Sequence, residues 1–226
     1  MDGKERLEQV LPGEIEKRSF AIISQELGER TFDPLEEPVI KRCIHTSADF
    51  DYADNLVFSP GVMERALAAV RAGARIVTDT NMGLAGINKK VLASFGGEAC
   101  CFMADPDVAD LAKKEGTTRA VASMKKAAAL AATEERPLIL AVGNAPTALV
   151  EICGLLEKGQ IAPALVIGVP VGFVNVVAAK EMLMETDVPY IVARGRKGGS
   201  NIAAAICNAI LYMADQTGPA SRACRT

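Results

Sequence analysis

The sequence predicts an α/β fold: a single domain with a mostly parallel sheet covered by helices on both faces, plus a helical N-terminal extension. Three observations predict it. Leu138–Val142, 164–168 and Tyr190–Ala193 are short, continuous apolar runs, the pattern of parallel strands buried on both faces. Stretches of helical period separate these runs, and that alternation builds a layered sheet. The chain has 226 residues, 50% of them apolar and 23% charged, which suits one domain with an ample core and excludes disorder as a description of the whole. The domain is read as 1–226, with residues 1–50 as the extension and 51–226 as the core.

In order along the chain, residues 14–23 form a helix with Ile15, Phe20, Ile22 and Ile23 on its apolar face, and Gly28 stops it. A second helix runs from Pro38 to about Asp49. Pro38 suits a first turn, Glu36 and Glu37 suit its positive end, and Ile40, Cys43 and Ile44 share a face. Residues 55–59 read as a short strand, after which Pro60-Gly61 opens a helix that ends at Gly73. Arg75–Asp79 is the next strand, a helix through Ile87 to Leu92 follows, and Ala99–Met103 is read as a strand. Helices are expected over 106–115 and 118–132, then over 146–158, 173–186 and 199–214 between and after the three strong strands.

Charge and composition remove several function classes. Lys and Arg total 25 against 28 Asp and Glu, a net charge of −3, whereas a protein that grips duplex phosphates usually has a basic balance. Aromatic residues are 4% with no Trp, which also disfavours a base-stacking platform. No apolar run reaches the roughly 18 residues of a membrane helix, and Met1–Arg6 lacks a signal-peptide core, so a cytoplasmic protein is expected. The cysteines Cys43, Cys100, Cys101, Cys153, Cys207 and Cys224 show no C-x-x-C spacing and read as reduced thiols. A zinc site is disfavoured because His45 is the only histidine, and no metal ligands are assigned.

In open α/β sheets, ligands bind beyond the carboxyl ends of the strands. Those positions here hold Asp79, Thr80, Asn81 and Gly83, then Gly143-Asn144-Ala145-Pro146, then 169–173, then Arg194 to Ser200. Neither G-x-G-x-x-G nor G-x-x-x-x-G-K-[ST] occurs among them. Arg194, Arg196 and Lys197, directly before Gly198-Gly199-Ser200, could cradle carboxylate or phosphate groups between a strand end and a helix start. The plainer reading of that run is a solvated turn. The helix starts after Pro146 and Ser200 are further places for an anion.

His45 carries the most chemical information. If 38–49 is helical, Arg42, His45 and Asp49 fall at i, i+3 and i+7 on one polar face, setting an imidazole between a cation and a carboxylate. Such a group is suited to proton transfer near neutral pH. A Ser-His-Asp hydrolase is disfavoured, since no G-x-S-x-G elbow exists. Arg119, in the first turn of the 118–132 helix, opposes the helix dipole, a small cost that ligand binding or mere surface exposure would equally explain.

Six segments together resemble the precorrin-8X methylmutase family. They are Ile15–Phe20, Val39–Phe50, Thr78–Met82, Gly143–Leu149, Gly168–Val174 and Gly195–Ser200, in the family's order from about residue 12 to 214. The form is most similar to the cobalt-precorrin-8 methylmutases of the anaerobic cobalamin route. The resemblance implies an isomerase that moves a methyl group from C11 to C12 of a corrinoid macrocycle by a 1,5-sigmatropic shift. It implies no separate methyl donor and no cofactor, cobalt being part of the substrate where present. It makes His45 the catalytic acid and Ser19, Arg42 and Arg119 substrate contacts, in a homodimer with sites near the subunit interface. Thr80, Arg194, Lys197, Gly198, Gly199 and Ser200 join them as substrate-binding candidates from the strand-end positions. A corrinoid carries carboxylate arms around a flat apolar ring, so dispersed arginines and backbone N–H groups fit its rim. Two other readings stay open: a non-catalytic corrinoid carrier of the same fold, and an α/β enzyme acting on a phosphorylated small molecule.

Overall fold

The computed structural model describes Glu8 and residues 10–216; Cys224 lies outside the described residues. After a short 3-10 turn at Pro12–Glu14 come α1 (Ile15–Leu27), α2 (Glu37–Ser47), α3 (Tyr52–Asn55), β1 (Leu56–Phe58), α4 (Val62–Arg71) and β2 (Arg75–Thr78). Then follow α5 (Asn81–Gly86), α6 (Lys89–Ser94), β3 (Glu98–Cys100), α7 (Pro106–Glu115), α8 (Arg119–Ala131) and β4 (Leu138–Val142). The chain continues with α9 (Pro146–Glu157), β5 (Leu165–Gly168), α10 (Val176–Met184), β6 (Tyr190–Ala193) and α11 (Ser200–Gln216).

The six strands form one sheet in the order β1-β6-β5-β4-β2-β3. All neighbours are parallel except β1, which runs antiparallel to β6 with Leu56 opposite Ala193. Every residue of β4 and β5 is buried, as their unbroken apolar sequence requires when helices cover both faces. Residues of α1, α2, α4 and α11 form the apolar cluster on one face, where α5 and α6 also pack against α11. Residues of α8, α9 and α10 form the cluster on the other. The N-terminal helices are thus built into the core. Ile23 and Leu27 of α1 and Val39, Ile40, Cys43 and Ile44 of α2 are buried in the same cluster as Ile206 and Ile210 of α11.

The connections fix where a ligand can go. From β2 the chain crosses one face through α5 and α6 to reach β3 on one side; from β3 it returns across the other face to β4, then steps outward to β5 and β6. Right-handed crossovers demand opposite faces for opposite directions. The reversal between β2 and β4 opens a crevice at their carboxyl ends, the usual ligand position in such sheets.

Three sequence expectations need correction. The strand expected over Ala99–Met103 is β3, which starts at Glu98 and ends at Cys100, where its pairing with β2 stops. The positions after β2 that hold Asn81 and Gly83 are not an open strand end but the start of α5: the Thr80 hydroxyl caps it by accepting from Gly83 N at 3.0 Å. The helix expected to reach Asp49 stops at Ser47, because Ala48 adopts a left-handed conformation (φ 54°). Asp49 therefore does not share a helix face with Arg42 and His45.

Candidate active site

The crevice between β2 and β4 is filled from within. Asp79, 1% exposed, sends its carboxylate across it to accept from Gly143 N (2.9 Å), Asn144 N (2.8 Å) and Ala145 N (2.7 Å). Burial pushes this carboxyl up, against the three N–H donors that pull it down. The cluster of N–H groups ahead of α9, where the sequence offered a place for an anion, is thus already occupied by a side chain of the same chain.

Around this plug the strand ends draw together. Thr80 Oγ1 lies 2.7 Å from Ser200 Oγ, joining the end of β2 to the start of α11. Gly143 packs so tightly that a Cβ there would stand 2.6–2.8 Å from Ser200 Cα, Ser200 N and Gly199 C. Gly199 N donates to Val169 O (2.9 Å), and Gly172 N donates to Arg196 O (3.1 Å), so the turns after β5 and β6 are tied together. Gly198 has φ 154° and any Cβ on it would collide with the Val169 carbonyl; only glycine fits.

The basic turn divides its work. Arg194 and Arg196 are exposed, Arg196 lying over the Phe173 ring at 5.4 Å. Lys197 instead holds Asp49 and Asp51, each at 2.6 Å. The hydrogen bond from Lys197 lowers the Asp49 carboxyl below its ordinary range. In this structure, then, Asp49 serves Lys197 rather than His45, and it brings the end of α2 onto the turn after β6. Beside this turn stand large exposed apolar side chains: Phe173 (81% exposed), Val174 (77%) and Val171. Met82, in the first turn of α5, is exposed too.

His45 sits exposed in the last turn of α2. Its imidazole stacks on Phe20 of α1, with ring centroids 5.3 Å apart and planes 22° from parallel. The Arg42 guanidinium lies over that same Phe20 ring at 4.9 Å and over Tyr212 of α11 at 5.0 Å, and it pairs with Glu16. Stacking of this kind fixes a planar cation without consuming all its N–H donors. Ser19, one residue before Phe20, turns its hydroxyl onto Ile15 O at 2.9 Å. Phe20, Glu16 and Tyr212 are site neighbours that sequence alone does not single out; the i, i+4 spacing of Glu16 and Phe20 is the available signal.

The predicted residues therefore fall into groups. Ser19, Arg42 and His45 gather on α1 and α2; Thr80, Gly198, Gly199 and Ser200 gather at the strand ends, with Arg194 and Lys197 on the adjoining turn. Arg119 stands apart, exposed at the first position of α8, whose capping Thr118 contacts Thr147 of α9 at 3.1 Å. Among the described residues, no group of three or more His, Cys, Asp and Glu could hold a metal ion, and no helix is long and apolar enough to cross a membrane. The described cysteines Cys43, Cys100, Cys101, Cys153 and Cys207 carry free thiols.

Fold and site together define an α/β protein with an accessible imidazole and dispersed guanidinium groups, and with its own carboxylate where a nucleotide cradle would be. Comparison with known proteins makes this specific. The family model for precorrin-8X methylmutase matches residues 14–213. The chain is 47% identical over 206 residues to the cobalt-precorrin-8 methylmutase of Salmonella typhimurium, covering 89% of this chain and 95% of that protein. It is 42% identical over 206 residues to the cobalt-precorrin-8 methylmutase of Priestia megaterium, covering 91% and 90%. The crystal structure of a precorrin-8X methylmutase from Thermus thermophilus superposes with a TM-score of 0.82 at 43% identity, covering 91% of this chain and 99% of that one. The chain belongs to the precorrin-8X methylmutase family, whose members are isomerases of cobalamin biosynthesis.

Proposed function

We propose that this protein converts cobalt-precorrin-8, or its metal-free form, by moving the C11 methyl group to C12, with His45 as the acid. The carrying observation is the exposed imidazole stacked on Phe20 beside the Arg42 guanidinium. In the step proposed, His45 gives a proton to the macrocycle. The C11–methyl bond breaks as the C12–methyl bond forms, and the proton then returns, so the reaction is balanced without methyl donor, oxidant or resident cofactor. Cobalt, where present, belongs to the substrate. General-acid assistance contributes about 10² to 10⁴ in rate, the rest coming from orientation of a water-shielded macrocycle.

Arg42, Arg119 and Arg194 are the cations proposed for the carboxylate arms, and Ser19, Thr80, Lys197 and the Gly198-Gly199-Ser200 backbone line the rim with them. Lys197, already held by Asp49 and Asp51, fixes the end of α2 against this rim rather than offering a free charge to it. The exposed Phe173, Val174 and Met82 support an apolar partner for this face, and the flat ring is of that kind. A homodimer with sites near its interface, working in the cytoplasm, completes the reading; sedimentation of the pure protein tests the dimer.

The test is an anaerobic incubation with precorrin-8 or its cobalt form, followed by absorption spectra, for wild type and His45→Ala. Conversion by wild type alone supports the mechanism. Binding without conversion by both favours a carrier, and no binding by either removes the substrate assignment.

A further inference from the structure

Lys180 is buried where a lysine is rarely found. It lies on α10, is 1% exposed and ranks among the largest fully buried side chains. No ion pair among the described residues includes it, and burial alone pushes its ammonium down to about 8. Enclosing an ammonium without a counter-charge costs several kcal/mol, so its hydrogen bonds must accomplish something a leucine could not. Its Nζ donates to two backbone carbonyls, Gly195 O and Lys197 O, each at 2.8 Å.

Both carbonyls belong to the turn after β6, a turn in a conformation that chains seldom adopt unaided. Gly195, Gly198 and Gly199 all have positive φ, at 75°, 154° and 137°. Glycines make that path possible, yet their freedom in the unfolded chain makes it entropically costly to hold. Lys180 holds it from beneath by drawing two carbonyls inward. That leaves Arg194 and Arg196 on the exposed outer side of the turn and delivers the chain to Ser200 at its contact with Thr80.

We infer that Lys180 is a positioning residue of the substrate site, its ammonium setting the turn that presents Arg194, Arg196 and the Gly198-Gly199-Ser200 backbone to the substrate's carboxylates. The inference rests on the corrinoid reading for the identity of the ligand and on the two carbonyl contacts for the role. Lys180 touches no reacting atom; it acts through the turn. Its loss should therefore weaken substrate capture while sparing the proton transfer at His45.

The experiment compares the full-length wild type with Lys180→Met in two ways. The first is digestion by trypsin under native conditions, with cut sites read by mass spectrometry. Cleavage after Arg194, Arg196 and Lys197 is expected to be about tenfold faster in the variant, while far-ultraviolet circular dichroism is unchanged. The second is steady-state conversion of cobalt-precorrin-8, where KM is expected to rise about tenfold and kcat to stay within about threefold. Unchanged cleavage in a folded variant, or a fall in kcat with KM unaltered, overturns the inference. Should Lys180→Met fail to fold, Lys180→Gln, which keeps a donor on a shorter neutral chain, faces the same criteria. Failure of both to fold assigns Lys180 to the core at large and also overturns it. The digestion uses no corrinoid, so a wild type that does not convert cobalt-precorrin-8 removes the functional reading without touching the test of the turn.

Discussion

Replacing Gly143 by alanine probes the strand-end architecture at its tightest point. A Cβ there would lie 2.6–2.8 Å from backbone atoms of Gly199 and Ser200, against 3.4 Å for ordinary contact. Neither neighbour is a flexible side chain, so backbone must move by roughly 0.7 Å. On one side is the first turn of α11; on the other is Gly143 N, held by Asp79 at 2.9 Å. Overpacking of this kind costs about 1–3 kcal/mol, and stretching a buried hydrogen bond to a carboxylate adds about 1.5–3 kcal/mol. A destabilisation of about 3–5 kcal/mol follows, which lowers Tm by roughly 10 °C for a chain of this size. Gly154 provides the control: it lies inside α9, and a Cβ there would have no heavy atom of the surroundings within 4 Å. Gly154→Ala should stabilise the protein by roughly 0.5–1 kcal/mol through helix propensity and leave turnover unchanged. Differential scanning calorimetry of the two variants decides. A Gly143→Ala protein melting within about 2 °C of wild type would refute the close packing of β4 against α11.

Other expected outcomes are as direct. Asp79→Asn sets an amide nitrogen against one of three N–H donors and should cost about 1–3 kcal/mol in urea unfolding. Arg42→Ala and Arg119→Ala should raise the corrinoid dissociation constant before they affect the rate of bound substrate, measured by spectral titration and single turnover; His45→Ala should do the reverse. Lys180, held near 8 when folded against 10.5 for an ordinary lysine, releases its proton earlier in the native state. Between those values the unfolded chain binds more protons, so wild-type stability relative to Lys180→Met should climb with pH, by up to about 3 kcal/mol. Urea unfolding at pH 7.5 and 10 measures it, and a difference that stays flat or falls removes the buried-ammonium assignment.

What could be read from sequence was what is encoded locally. Leu138–Val142 and Tyr190–Ala193 announce buried strands because both faces of each need apolar residues, and the structure has them at those bounds. The direction of β1 was not legible, since a three-residue run has the same composition parallel or antiparallel. α5 is not legible because Gly83 and Gly86 are poor helix formers; their absent side chains instead let the helix approach Thr78 and Ala204. At the site, the alignment of Arg42 and His45 on one helix follows from spacing, whereas Phe20 stacking on His45 requires knowing that α1 packs against α2. Asp49 shows the limit best. Its spacing of four from His45 pointed to a shared face, but one left-handed residue, Ala48, sends it to Lys197, 148 positions further along the chain.

Two buried charges bear on the alternative ligands. Asp79 neutralises the N–H cluster between β2 and β4, the position where an α/β enzyme would hold a small phosphate. A phosphoryl group seeking that position would have to expel a carboxylate that is 1% exposed and triply bonded. Lys180 spends its hydrogen bonds on carbonyls rather than on a ligand, leaving the exposed arginines of the neighbouring turn free to face outward. The arginines proposed for substrate anions are spread out instead: Arg42 on α2, beside Glu16, Arg119 on α8, and Arg194 and Arg196 after β6. A small phosphorylated metabolite gains little from cations spread over three elements. The proposed substrate, a wide ring with carboxylates around its edge, suits cations so spread, even though the protein as a whole carries a net charge of −3.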